Sequence, residues 1–187
     1  MSSDSPPRGP IPDSYWLIPG RLLAGEYPGT YHEADTREKL AKFLDAGIRT
    51  FINLTEAREL SSYEEILRDL SAERGIETVH VRQSIRDYRT PRERAQMIEI
   101  LATIRGEIEA GRAVYVHCWG GIGRTGTVVG CWLVEQGLTG DEALRRIAEL
   151  RQGIPDSRVR SPESDEQCRY VRQWLQDDRS PADEGGS

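Results

Sequence analysis

Lysine is nearly missing from this chain: Lys39 and Lys42 are the only lysines among 25 basic residues, and the rest are arginine. Arginine codons are GC-rich and lysine codons AT-rich, so the imbalance points to a GC-rich bacterial genome and carries no chemistry. Cysteine is scarce as well. Cys118, Cys131 and Cys168 are odd in number and widely spaced, which fits neither a disulfide framework nor a metal-ligand cluster. Reduced thiols and no bound metal are expected. No apolar run approaches the roughly 18 to 20 residues that span a bilayer. The start, Met1-Ser2-Ser3-Asp4, has neither the basic nor the apolar segment of a secretory signal. A membrane is therefore not an expected partner, and the cytoplasm is the expected compartment. Positive charge is not in excess either, since the formal net charge is −6. Nucleic acid is accordingly not an expected partner. Composition says nothing about the oligomeric state.

The 187 residues suffice for one domain with a substantial core. Proline and serine concentrate before residue 14, and Pro, Asp, Glu and Gly after residue 177. The expected organisation is a disordered leader over residues 1–14, a folded domain over 15–176 and a disordered tail over 177–187. Within the domain, apolar runs of strand type alternate with segments of helical period. Strands are expected at 15–18, 22–24, 48–54, 76–81 and 113–116. Helices are expected at 35–46, 63–74, 91–109, 125–136, 140–151 and 162–176. Thr90, Pro91 and Glu93 read as N-cap, first position and capping box of the third helix. Such alternation implies an α/β sandwich, a central mostly parallel twisted sheet with helices on both faces.

The segment His117-Cys118-Trp119-Gly120-Gly121-Ile122-Gly123-Arg124-Thr125-Gly126 is the most informative in the chain. It joins an apolar strand, Ala113 to Val116, to a run of small and β-branched residues that reads as a buried helix. Strand, glycine-rich loop and helix N-terminus together form an anion cradle, because backbone N–H groups converge there and the helix dipole favours negative charge. A cysteine at the mouth of such a cradle is expected to be a thiolate at neutral pH. Arg124 adds a planar, permanently charged fork that matches phosphate oxygens.

His117 to Thr125 resembles the His-Cys-x5-Arg-Ser/Thr motif of the cysteine-dependent protein tyrosine and dual-specificity phosphatases. The resemblance implies Cys118 as nucleophile and Arg124 as the clamp on phosphate. It implies the loop residues Trp119, Gly120, Gly121, Ile122 and Gly123 as substrate-binding backbone. Thr125 would stabilise the cysteine sulfur as a leaving group, and His117 would orient the loop. The segment Ile85-Arg86-Asp87-Tyr88 resembles the family's mobile acid loop, with Asp87 as proton donor. It lacks the Trp-Pro-Asp triplet of the tyrosine-specific branch and looks more like the dual-specificity branch. Gln167 matches the second of two water-positioning glutamines, while Glu163 stands where the first would be. No cofactor is implied.

The expected substrate is a phosphorylated protein, at phosphotyrosine and also at phosphoserine or phosphothreonine. Inositol phosphates, phosphoinositides or nucleotides are the enzymatic alternative. A non-catalytic phosphopeptide-binding module is the alternative from another class, disfavoured because Cys118, Arg124 and Asp87 are all present. Cys131 reads as core packing behind the loop. Arginines 82, 86, 89, 92 and 94 form a basic run beside the acid loop, expected to steer anionic substrates.

Overall fold

The computed structural model describes residues 8–175. The apolar strand before Cys118 takes the centre of a five-stranded sheet. The order is β1 (Ser14–Ile18), β2 (Leu22–Gly25), β5 (Ala113–His117), β3 (Ile48–Asn53), β4 (Val79–Arg82). Only β1 runs antiparallel to its neighbour; the other pairings are parallel. Every residue of β5 is buried, as a strand covered on both faces must be. Its side chains alternate between two cores. Val114 and Val116 join α3 (Arg94–Glu109), α4 (Gly123–Glu135) and the residues of α6 (Asp165–Gln173) on one face. Ala113 and Tyr115 join α1 (Glu33–Asp45) and α2 (Glu64–Arg74) on the other. The fifth helix, α5 (Gly140–Leu150), packs Ile147 and Leu150 against Tyr15 of β1. The expected sandwich, mostly parallel with helices on both faces, is the observed one.

Element boundaries differ where tertiary partners outcompete local signals. The third helix starts at Arg94, not Pro91, and Glu93 occupies its N-cap without a capping side chain. The Thr90 hydroxyl is bonded to Glu166 Oε1 at 3.3 Å and so caps nothing. The fourth strand starts at Val79 because Ile76 belongs to the end of α2. Its N–H closes onto the Ser71 carbonyl past Gly75, which has φ +63, the usual left-handed helix stop. The last helix begins at Asp165 behind a full capping box of Ser164 and Gln167.

The expected leader, 1–14, meets the fold before its end. Ile11 is buried, Ser14 lies within β1, and the Ser14 hydroxyl donates to the Ile11 carbonyl at 2.8 Å. An apolar residue among the prolines anchors this stretch. Residues 1–7, the domain end at 176 and the tail 177–187 lie outside the described residues. Among the described residues no helix is long and apolar enough to cross a membrane.

Candidate active site

At the carboxyl end of β5 the chain leaves the sheet as the loop 118–122 and re-enters as α4. Loops at this edge of a parallel sheet are where such folds bind ligands. Gly121 has φ +69, and a Cβ there would lie 2.4 Å from the Gly25 carbonyl carbon, so only glycine fits. The loop is pinned from several sides. Tyr27 N–H donates to the Trp119 carbonyl at 2.7 Å, and the Ser161 hydroxyl donates to the Ile122 carbonyl at 2.7 Å. Cys118 is buried at 3 % exposure, whereas Trp119 is 60 % exposed.

His117 lies under the loop among the rings of Tyr27, Tyr63 and Tyr115. Burial is the main cause that pushes its pKa down to about 3, so the imidazole is neutral. The Cys118 carbonyl, 3.3 Å from Nδ1, can only accept. Nδ1 therefore carries the proton, and Nε2 accepts from the Tyr63 hydroxyl at 2.7 Å. Both ring nitrogens are thus occupied beneath the loop.

Arg124 is 1 % exposed. Its guanidinium donates bidentately to Glu59, Nη1 to Oε2 at 2.8 Å and Nη2 to Oε1 at 2.7 Å. Nη1 also meets the Ile85 carbonyl at 3.1 Å, and Nη2 lies 3.2 Å from Asp87 Oδ1. Burial opposes the charge, but the Glu59 bonds and the charges of Cys118 and Asp87 outweigh it and raise the pKa. On Glu59 burial likewise works upward, and the Arg124 bonds reverse it, so its carboxyl sits below the usual range. The pair is thus held charged and locked in one orientation.

Sequence reasoning does not find Glu59. The signal it offers is position alone: it follows β3, the strand beside β5, at the same carboxyl edge of the sheet.

Two side-chain atoms of this loop region are buried without a hydrogen-bond partner among the described residues: Arg124 Nε and Thr125 Oγ1. No bond joins the Thr125 hydroxyl to the Cys118 sulfur.

Of the other expected residues, Asp87 is brought to Arg124, and Gln167 is fully buried. Gln167 Oε1 accepts from the N–H groups of Glu163 and Ser164, and Nε2 donates to the Arg89 carbonyl at 3.1 Å. These partners tie two backbone segments together. Cys131, also buried, has a thiol pKa raised well above its usual value by burial.

The basic run is mostly occupied elsewhere. Arg82 pairs with Glu64, Arg89 with Glu166, and Arg94 lies over the Trp174 ring at 4.3 Å. Arg86 and Arg92 alone remain exposed with no ion pair among the described residues, so the steering expected of five arginines reduces to two.

Against known proteins, residues 26–138 match the family described as "Polymorphic toxin system, DSP-PTPase phosphatase". The chain is 24 % identical over 123 residues to the putative tyrosine phosphatase 067L of Invertebrate iridescent virus 3. It is 27 % identical over 156 residues to the tyrosine-protein phosphatase cdc-14 of Caenorhabditis elegans. These stretches take in 63 % and 75 % of this chain but only 44 % and 19 % of those relatives. Among solved structures, the active form of Tk-PTP is 27 % identical, with a TM-score of 0.65 over 88 % of this chain and 97 % of that one. PTPMT1 in complex with PI(5)P shares the fold at 21 % identity, with a TM-score of 0.64 over 87 % of this chain and 95 % of that one.

Proposed function

The chain belongs to the DSP-PTPase phosphatases of polymorphic toxin systems, and from that membership we propose that it hydrolyses phosphotyrosine in proteins through a cysteinyl-phosphate intermediate. Phosphothreonine and phosphoserine are poorer substrates in this reading. The observation that carries it is the pair of unpartnered buried atoms, Arg124 Nε and Thr125 Oγ1. Buried polar groups are almost always satisfied. Here they stand on consecutive residues beside a buried cysteine and a glycine loop, where Arg124 Nε suits an arriving oxyanion and Thr125 Oγ1 the cysteine sulfur.

The chemistry follows from the arrangement. The Cys118 thiolate attacks phosphorus, the S–P bond forms, and the P–O bond to the leaving group breaks. Asp87 gives the leaving oxygen its proton. Backbone N–H groups of residues 119–124 and Arg124 Nε hold the equatorial oxygens as charge redistributes. Water then attacks phosphorus, Asp87 takes its proton, the S–P bond breaks and inorganic phosphate leaves. Thr125 donates to the departing sulfur. Guanidinium and backbone amides supply the positive field throughout, so the mechanism requires no metal or cofactor.

Glu59 orients the clamp. A hydrogen bond to a charged group contributes about 1.5 to 3 kcal/mol, so kcat/KM in Glu59→Ala is expected to fall roughly 10- to 100-fold. Steady-state kinetics on a phosphotyrosine peptide measure this. An unchanged kcat/KM would mean that the bidentate pair does not orient the fork.

For the substrate, the support is a pocket beside the loop, lined by Trp119, Tyr31 and Leu60. Tyr31 is 95 % exposed, and rigid aromatics displayed together at a cleft suit ring and peptide contacts. A panel of phosphotyrosine, phosphothreonine and phosphoinositide substrates at matched concentration is expected to rank in that order. Phosphoinositide turnover above every phosphopeptide would overturn the protein-substrate reading and leave the cysteine chemistry standing.

A further inference from the structure

Residues 86–89 form a turn closed by Arg89 N–H on the Arg86 carbonyl at 3.0 Å, with Tyr88 at φ +59. Left-handed backbone is unfavourable for an L residue with a bulky side chain, and turns that need it usually place Gly or Asn there. Tyr88 is 57 % exposed, so burial of its ring does not compensate. A conformation of this kind persists only where surrounding contacts over-determine it.

Apart from the Asp87–Arg124 contact, those contacts come from one place, residues 163–167. Ser164 Oγ donates to the Tyr88 carbonyl at 3.2 Å. Gln167 Nε2 donates to the Arg89 carbonyl. Glu166 accepts from Arg89 Nη1 at 2.9 Å and from Thr90 Oγ1 at 3.3 Å. The holding segment is itself stiff, because Ser164 and Gln167 form the capping box of α6. Gln167 also abuts the phosphate loop: its amide atoms lie 3.1 Å from where a Cβ on Gly123 would stand. One helix start therefore touches both the loop that carries Asp87 and the loop that carries Cys118.

We propose that the first turn of α6 is a clasp that sets Asp87 over the phosphate loop, with Glu166 as the positioning residue that closes it. Glu166 acts through Arg89 and Thr90 and touches no reacting atom. The proposal rests on Asp87 being the proton donor and adds what holds it there. It also gives Gln167 a part in the same device, through the Arg89 carbonyl.

Glu166 is exposed enough for its loss to leave the fold intact, with a side chain 41 % accessible. The test uses the full chain and the variants Glu166→Ala, Asp87→Ala and the double substitution. Each is assayed on aryl phosphates whose leaving groups range from poor to good. A misplaced acid matters most where the leaving oxygen needs its proton. With phenyl phosphate, kcat in Glu166→Ala is expected to fall roughly three- to tenfold, the loss of one exposed ion pair and one hydrogen bond. With a nitrophenyl phosphate it changes less than about twofold. In the Asp87→Ala background, Glu166→Ala adds nothing further, the signature of two residues acting in one step. Arg89→Ala, which removes the other half of the ion pair, reproduces the same leaving-group pattern. A loss equal across all leaving groups, full additivity with Asp87→Ala, or no loss at all would each overturn the clasp. Failure of Asp87→Ala itself to show leaving-group dependence would instead remove the acid assignment beneath it.

Discussion

Turnover in Cys118→Ser is expected to drop by at least about 10⁴-fold, the scale on which removal of a nucleophile acts, while the fold survives. Serine is close to cysteine in shape, and the site is 3 % exposed within a packed cluster, so little is lost from the core. What changes is the reactive species. A serine hydroxyl is a far weaker nucleophile than a cysteine sulfur, and neither Arg124 nor the helix N-terminus can make up that difference. Cradle and clamp remain, so the variant still binds phosphopeptide. The measurement has three parts: kcat on p-nitrophenyl phosphate, the thermal midpoint by circular dichroism, and an acid quench after exposure to radiolabelled substrate. Label on the wild-type protein and none on Cys118→Ser is the expected pattern. Turnover within tenfold of wild type would end the covalent mechanism.

Cys118 and Arg124 are legible in the amino-acid sequence because their chemistry is local. Seven consecutive residues, 118 to 124, hold both, and the glycines and flanking apolar runs identify strand and helix. Parallel order is legible for a similar reason, since alternation of strand and helix leaves few topologies. What stays hidden depends on partners distant in sequence. Glu59 reaches Arg124 across 65 positions, and nothing in its own neighbourhood marks it out from other glutamates. Thr90 has the local context of a helix cap and is drawn instead to Glu166, 76 positions away. Gln167 suggests water positioning by resemblance, yet its amide is occupied by three backbone partners. The basic run has the right residues in the right place. Glutamates 64 and 166 and the Trp174 ring, all outside that run, occupy three of its five members.

Asp87→Ala is expected to lower kcat on phosphotyrosine by about 10² to 10⁴, the usual contribution of acid catalysis, with little change in affinity. Glu59, Glu163 and Asp87 lie on the same side of the loop as Arg124 or Gly123, and the geometry separates them. Both oxygens of Glu59 accept from Arg124, which holds it ionised and turned away from any leaving group. Glu163 lies near the exposed Tyr88 hydroxyl, and its charge pushes the Tyr88 pKa up. Asp87 shares a single 3.2 Å contact with Arg124 through Oδ1 and is 44 % accessible. An arriving phosphate competes for that guanidinium and frees the carboxyl to meet the leaving oxygen. The penalty also shrinks as the leaving group becomes more acidic and departs without help. Measurements of kcat and KM for both proteins, on phosphotyrosine and on a nitrophenyl phosphate, check both effects. A penalty that does not shrink with the better leaving group would place the acid elsewhere, and Glu163, next to the phosphate loop at Gly123, would be the residue to replace next.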